Sequence, residues 1–186
     1  MFVADVQMLL KISKLNTTNI LITRQSTAML KKLFYGFGIA IIIIFCDQYS
    51  KWWITINLKD TREIIPITDF LNIVLTYNTG VSFGLFANDS EVARWILVSL
   101  TIAISLILIR WLSTAKNSLN IISFGMIIGG AIGNITDRVL IGAVIDFLDF
   151  YVSSFHWPAF NVADSAICIG AALLILESLL ITEKKG

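Results

Sequence analysis

The strongest constraint on this chain is a set of long apolar stretches almost empty of charge. From Leu33 to Cys46 no Asp, Glu, Lys or Arg occurs, and further uncharged runs lie between Arg94 and Arg110 and from Asn117 to Thr136. A fourth run, Asn161 to Ile181, is interrupted only by Asp164 and Glu177. A hydrocarbon core about 30 Å thick needs about 20 mostly apolar residues per helix. Four transmembrane helices are therefore expected, at 33–56, 94–112, 117–136 and 161–181. Composition agrees: of 186 residues 56% are hydrophobic and 15% charged, with a mean hydropathy of +0.81. Soluble domains carry about 25% charged residues, so a disordered chain and an ordinary cytosolic enzyme are excluded. A formal net charge of +1 offers no field to draw nucleic acid.

Basic residues set the expected orientation. With four crossings both termini share one side. That side holds Lys11, Lys14, Arg24, Lys31, Lys32, Arg110, Lys116, Lys184 and Lys185, against Lys51, Lys59, Arg62, Arg94 and Arg138 opposite. The excess places both termini in the cytoplasm. Residues 1–32 read as a cytoplasmic N-terminal extension, partly amphipathic and lying on the membrane. They lack the pattern of a signal peptide, because Lys11 and Lys14 interrupt the apolar patch. The outer loop of 57–89 contains FLNIVLTY (Phe70–Tyr77), rich in β-branched and aromatic residues. The expected fold is thus an all-α integral membrane protein with four transmembrane helices and a small extracytoplasmic β-element. Trp52, Trp53, Tyr77, Phe83, Phe86 and Trp157 suit headgroup depth.

Polar residues within the spans carry the functional signal. Asp47 and Lys51 fall near the outer end of the first span. Asn134, Asp137 and Arg138 fall at the outer end of the third, and Asn161 with Asp164 at the outer start of the fourth. Asp146 and Asp149 lie in the stretch joining the last two. Spacings of three and four residues put the members of each helical cluster on one face. Ionisable groups inside a bilayer are costly and face protein or water. Gly129, Gly130, Ala131 and Gly133 let a neighbouring backbone approach. A tight polar pocket open toward the outer face is expected. Two carboxylates brought together there would share one proton, supplying both a base for water and an acid for a leaving amine. No metal or cofactor is called for. His156 is the lone histidine, and Cys46 with Cys168 cannot build a closed zinc site. Both cysteines read as packing, His156 as a loop residue, and Asp149 and Asp69 as structural.

Five segments, in order, resemble the motifs of the bacterial lipoprotein signal peptidase (signal peptidase II) family: DQYSK (Asp47–Lys51), NTGVSFG (Asn78–Gly84), GGAIGNITDR (Gly129–Arg138), GAVIDF (Gly142–Phe147) and FNVADS (Phe160–Ser165). The resemblance covers about Phe34 to Glu177 and makes 33–186 a four-helix membrane peptidase domain. It implies Asp146 and Asp164 as a catalytic pair. Asn78, Gly80, Asn134, Arg138 and Asn161 would hold substrate, with Asp47, Lys51 and Asp137 bracing the pocket. It implies a diacylglyceryl prolipoprotein as substrate, cut before its lipid-modified cysteine at the outer face of the bacterial inner membrane, by a monomer surrounded by membrane lipid. Val81 and Ser82 depart from the family's common Ala-Ala. Three other readings stand beside this one. A Ser-Lys peptidase built on Ser50, Ser82 or Ser165 with Lys51 is opposed by the divergence of adjacent helical side chains. A small transporter or proton-pathway subunit would place its ionisable groups near the midplane. A non-catalytic scaffold would need the aspartates for stability alone.

Overall fold

The computed structural model describes the backbone at residues 2–61, 63–80 and 91–183, with side chains over the part of these from 20 to 180. Four helices carry the molecule: α1 (Phe2–Leu58), α2 (Glu91–Ser113), α3 (Ser118–Ile141) and α4 (Val162–Glu183). Each contains a window long and apolar enough to cross a membrane, so the protein is a multi-pass membrane protein. Four strands accompany them: β1 (Ile65–Thr68), β2 (Leu71–Asn78), β3 (Val144–Val152) and β4 (Phe155–His156).

The helix lengths differ from expectation at two places. α1 runs unbroken through 57 residues, about 86 Å at 1.5 Å per residue. No break separates residues 2–32 from the span, because Lys11, Lys14, Lys31 and Lys32 are good helix formers and no Pro or Gly intervenes before Gly36. α3 continues to Ile141, past the expected 136. It begins at Asn117, whose side chain accepts from Asn120 N, and ends at Gly142, whose φ of 84° is open to glycine at little cost.

α3 sits between α1 and α4, and glycines set how close they come. Gly125, Gly129 and Gly133 recur every four residues and face α1. A Cβ at Gly129 would lie 2.7 Å from the Ala40 carbonyl oxygen, and one at Gly125 would lie 2.7 Å from that of Gly36. Gly130 faces the other way, where a Cβ would meet the carbonyl of Ala163 on α4. Without a hydrophobic force between helices in lipid, such backbone contact is a main source of association. Ala40, Leu108, Leu112, Phe124 and Ile128 fill the space toward one end.

The sheet occupies the other end, in the order β1-β2-β3-β4, and its composition corrects the sequence reading. The expected β-element lay wholly in 57–89, yet half of the sheet comes from the connection between α3 and α4. Residues 81–90, with Val81, Ser82, Phe83, Gly84 and Phe86, lie outside the described part, as does Arg62. β2 pairs antiparallel with β3, Asn78 opposite Val144 and Thr76 opposite Asp146. Pro66 is confined to the edge strand β1, where its missing N–H costs no ladder bond. Ile54 and Leu58 at the end of α1 pack with Phe147 of β3 and seat the sheet on the helices. Phe160 bonds back to Phe147 and Leu148 as the chain enters α4, so β3 and the head of α4 are stitched together.

The glycine stripe can be tested by adding single methyl groups. Gly129→Ala should destabilise the folded protein by about 1–3 kcal/mol, the usual cost of overpacking, read as a lowered Tm in detergent. Gly38 has nothing within 4 Å of the same added atom. Gly38→Ala should leave Tm unchanged or raise it slightly.

Candidate active site

The site begins with a lysine removed from water. Lys51 is only 2% exposed, and its Nζ donates to Asp47 Oδ2 at 2.8 Å, Asp137 Oδ2 at 2.8 Å and Asn134 Oδ1 at 3.1 Å. Its three protons thus have three acceptors. The paired carboxylates reach onward with their remaining valence. Asp47 Oδ1 accepts from Ala163 N on α4 at 2.9 Å, and Asp137 Oδ2 from Ile145 N on β3 at 3.1 Å. One ammonium therefore fixes α1, α3, β3 and the head of α4 relative to one another. Gln48 joins this cluster from the neighbouring position. Its amide donates to Asp137 Oδ1 at 2.9 Å, Asp47 Oδ2 at 3.1 Å and the Gly133 carbonyl at 3.2 Å.

Above the cluster stand Asp146 and Asp164, from β3 and α4. Asp146 is 1% exposed. Its Oδ1 accepts from Asn161 Nδ2 at 2.8 Å and its Oδ2 from Asn78 Nδ2 at 2.9 Å. Asp164 Oδ1 accepts from Asn134 Nδ2 at 2.8 Å. Asn161 Nδ2 also reaches Asn134 Oδ1 at 3.2 Å, so two amides link the carboxylates in one network. The start of α4 holds Asp164 by a reciprocal cap. Asn161 Oδ1 accepts from Asp164 N at 2.9 Å and Asp164 Oδ2 from Asn161 N at 3.3 Å. This is a capping box with an aspartate at its third position.

Charge at the site is unbalanced. Lys51 and Arg138 face Asp47, Asp137, Asp146 and Asp164, leaving a surplus of negative charge if all ionise. Burial raises Asp146 to a pKa of about 6, the Asn78 bond opposes this, and the nearby Asp164 charge adds to it. Arg138 interacts electrostatically with Asp164, Asp146 and Asp137. Its Nε is buried and without a partner among the described residues. Gly80, at φ 84°, approaches the same guanidinium. Its N–H donates to Asn78 Oδ1 at 2.8 Å, which turns the Asn78 amide toward Asp146.

All ten residues singled out in the sequence stand in or beside this network, namely Asp47, Lys51, Asn78, Gly80, Asn134, Asp137, Arg138, Asp146, Asn161 and Asp164. Gln48 was missed. Its signal was an uncharged amide inside a membrane span and adjacent to Asp47, where an unpaired side chain would be costly. Asp149 belongs elsewhere. Three residues from Asp146 on a strand, it points to the opposite face, where Asn72 Nδ2 donates to it at 3.0 Å and His156 Nδ1 lies 2.9 Å away. His156 is thus a strand residue with a carboxylate partner and not a loose loop position. The cysteines also differ from expectation. Cys46 and Cys168 are free and exposed, on helix faces turned away from the packed interior.

The Ser-Lys reading finds no geometry. Ser50 and Ser165 spend their hydroxyls on the backbone carbonyls of Asp47 and Asn161. The Lys51 ammonium is occupied by two carboxylates, and Ser82 lies outside the described residues. Glu177, well along α4 from the cluster, accepts from Asn117 Nδ2 at 2.7 Å and ties α4 to the start of α3.

Comparison with known proteins agrees with this architecture. The family model described as Signal peptidase (SPase) II matches residues 39–180. A Yersinia enterocolitica protein named lipoprotein signal peptidase is 40% identical over 149 residues, covering 79% of this chain and 88% of its own. One of the same name from Polynucleobacter necessarius is 44% identical over 139 residues, 74% of this chain and 85% of its own. A bacterial membrane enzyme solved by the in meso method at 2.3 Å superposes with a TM-score of 0.68 at 28% identity, over 81% of this chain and 91% of that one.

Removing Lys51 should cost more than any single exposed ion pair. Lys51→Met leaves Asp47 and Asp137 buried without their cation, and about 3–5 kcal/mol of stability should be lost. Thermal unfolding in detergent checks this, and adding Asp47→Asn to Lys51→Met should restore part of the loss.

Proposed function

The chain belongs to the signal peptidase II family, and from that footing we propose that it is an aspartic endopeptidase of the bacterial cytoplasmic membrane. Its substrate is a prolipoprotein already carrying diacylglycerol on a cysteine, and it cuts just before that cysteine, releasing the signal peptide. The observation that carries the reading is the amide link through Asn134 and Asn161 between carboxylates on two different elements.

Asp146 holds a proton and Asp164 is the base. Asp164 takes a proton from a water whose oxygen attacks the scissile carbonyl carbon, while Asp146 protonates the carbonyl oxygen. The tetrahedral diol then collapses. Asp164 gives its proton to the cysteine nitrogen, the C–N bond breaks, and a diol hydroxyl returns a proton to Asp146. Water is consumed and the starting protonation is restored, with no metal required. Asn78, Gly80 and Arg138 line the position of the substrate backbone, Arg138 offering its buried Nε–H to a carbonyl. Asn134 and Asn161 keep the two carboxyls facing one place. Asp47, Lys51 and Asp137 brace them.

The lipid anchor explains where the site sits. A diacylglyceryl cysteine is held at the membrane surface, so its amide bond lies near headgroup depth. The polar cluster stands at the sheet end of the helices. The excess of Lys and Arg in residues 1–32, between α2 and α3 and after α4 favours both termini in the cytoplasm and the site facing outward. A monomer suffices, since the network is complete within one chain. Nothing favours the transport alternative, as the acids gather at one end and not at the midplane.

Asp146→Asn and Asp164→Asn should each abolish cleavage of a diacylglyceryl prolipoprotein by the purified protein, by at least about 10²-fold, while Tm stays near wild type. Equal turnover in either variant rejects the mechanism.

The pH dependence follows from Asp146. Activity needs its proton, which is lost as pH rises through about 6. The free-enzyme limb of kcat/KM should therefore fall above that pH. Asn78 donates to the ionised form and lowers the value, so Asn78→Ala should move the limb upward as well as weaken substrate binding. A pH–rate series on both proteins reads the shift.

A further inference from the structure

The surface around β4 is not used by the proposed chemistry. From Phe150 to Ala163 the chain has no Asp, Glu, Lys or Arg, and it carries Phe150, Tyr151, Phe155, Trp157 and Phe160. Val152, Phe155 and Trp157 are 75%, 68% and 60% exposed. With Phe70, Phe150 and Tyr151 they line an apolar hollow of about 390 Å³. Stacking runs inward from it, Phe70 on Phe150 at 6.2 Å and Phe150 on Phe160 at 5.7 Å. The aromatic surface is thus continuous with the entry to α4.

Its one ionisable side chain apart from Tyr151 is matched. His156 Nδ1 meets both oxygens of Asp149 at 2.9 and 3.0 Å and its ring stacks on Tyr151. Desolvation of Asp149 would raise its pKa, but the Asn72 and His156 contacts outweigh this and hold it below the usual carboxylate range. The carboxylate beside the hairpin is therefore hydrogen-bonded within the protein, by Asn72 and His156. The segment between α1 and β1 has the opposite character, with Lys59, Asp60 and Glu63 all exposed.

We propose that the β3–β4 hairpin is an interfacial anchor, with Val152, Phe155 and Trp157 lodged among the headgroups of the outer leaflet. Three observations select lipid as the occupant. Fourteen residues without Asp, Glu, Lys or Arg are suited to an apolar boundary, and aromatic side chains favour that layer. Phe160, bridged to Leu148, stands next to the start of a membrane span at Val162. Val152 is four residues farther along β3, about 13 Å at strand rise, which a tilted hairpin covers within the headgroup zone. Such an anchor would pin one edge of the sheet to the bilayer while the charged segment leading into β1 stays in water. It would fix the height of β3, and hence of Asp146, above the hydrocarbon.

Site-directed spin labelling of the full chain tests this. In a Cys46→Ser/Cys168→Ser background, Val152→Cys, Phe155→Cys and Asp60→Cys are labelled singly and reconstituted in phosphatidylethanolamine–phosphatidylglycerol vesicles. Collision with oxygen relative to a water-soluble nickel complex should be several-fold higher at 152 and 155 than at 60. Retained prolipoprotein cleavage certifies the fold of each labelled protein. Equal ratios at all three positions would overturn the proposal. So would high ratios that appear only on adding prolipoprotein, since the surface would then be a peptide-docking face.

Discussion

A lysine ammonium shut away from water is the constraint on which the rest of this molecule depends. Lys51 is paired with two carboxylates, and removing either would leave buried charge uncompensated at a cost of about 3–5 kcal/mol. Those carboxylates in turn accept the backbone N–H groups of Ile145 and Ala163, each immediately before a residue of the proposed catalytic pair. The cluster thus acts as a jig. It stabilises little by comparison with an apolar core of equal size, but it allows one relative placement of α1, α3, β3 and α4.

The glycine stripe and the ion cluster depend on each other. Gly133 lies where an added Cβ would be 2.6 Å from Asp47 Oδ2, so the Asp47–Lys51 pair exists only because α3 is bare at that point. Close helix packing excludes water, and the low dielectric strengthens each bond in the network. It also makes a second negative charge beside Asp164 expensive, which favours a proton on Asp146. The same dryness that secures the fold prepares the acid.

The sequence made the helices legible because lipid is an unforgiving solvent: uncharged runs near 20 residues have few alternatives. It also exposed the polar cluster, since spacings of three and four in Asp47/Lys51, Asn134/Arg138 and Asn161/Asp164 fix shared faces. Three features escaped. VIDFLDFYV between two helices is a short apolar run, and only its period of two separates a strand from a linker. That period would also have sent Asp146 and Asp149 to opposite faces. Gln48 carries no charge, so it gave no warning of its three acceptors. Cys46 and Cys168 look buried by their apolar neighbours, yet in a membrane protein the apolar neighbourhood is the outside.

The central claim is that Asp146 and Asp164 act on one bond. A crystal structure with a lipid-bearing peptide, its scissile amide replaced by a hydroxyethylene group, tests it most directly. The hydroxyl should lie within hydrogen-bond distance of both carboxyls, about 3 Å from each. A hydroxyl bound to one carboxyl alone, with the other turned away, would contradict the account.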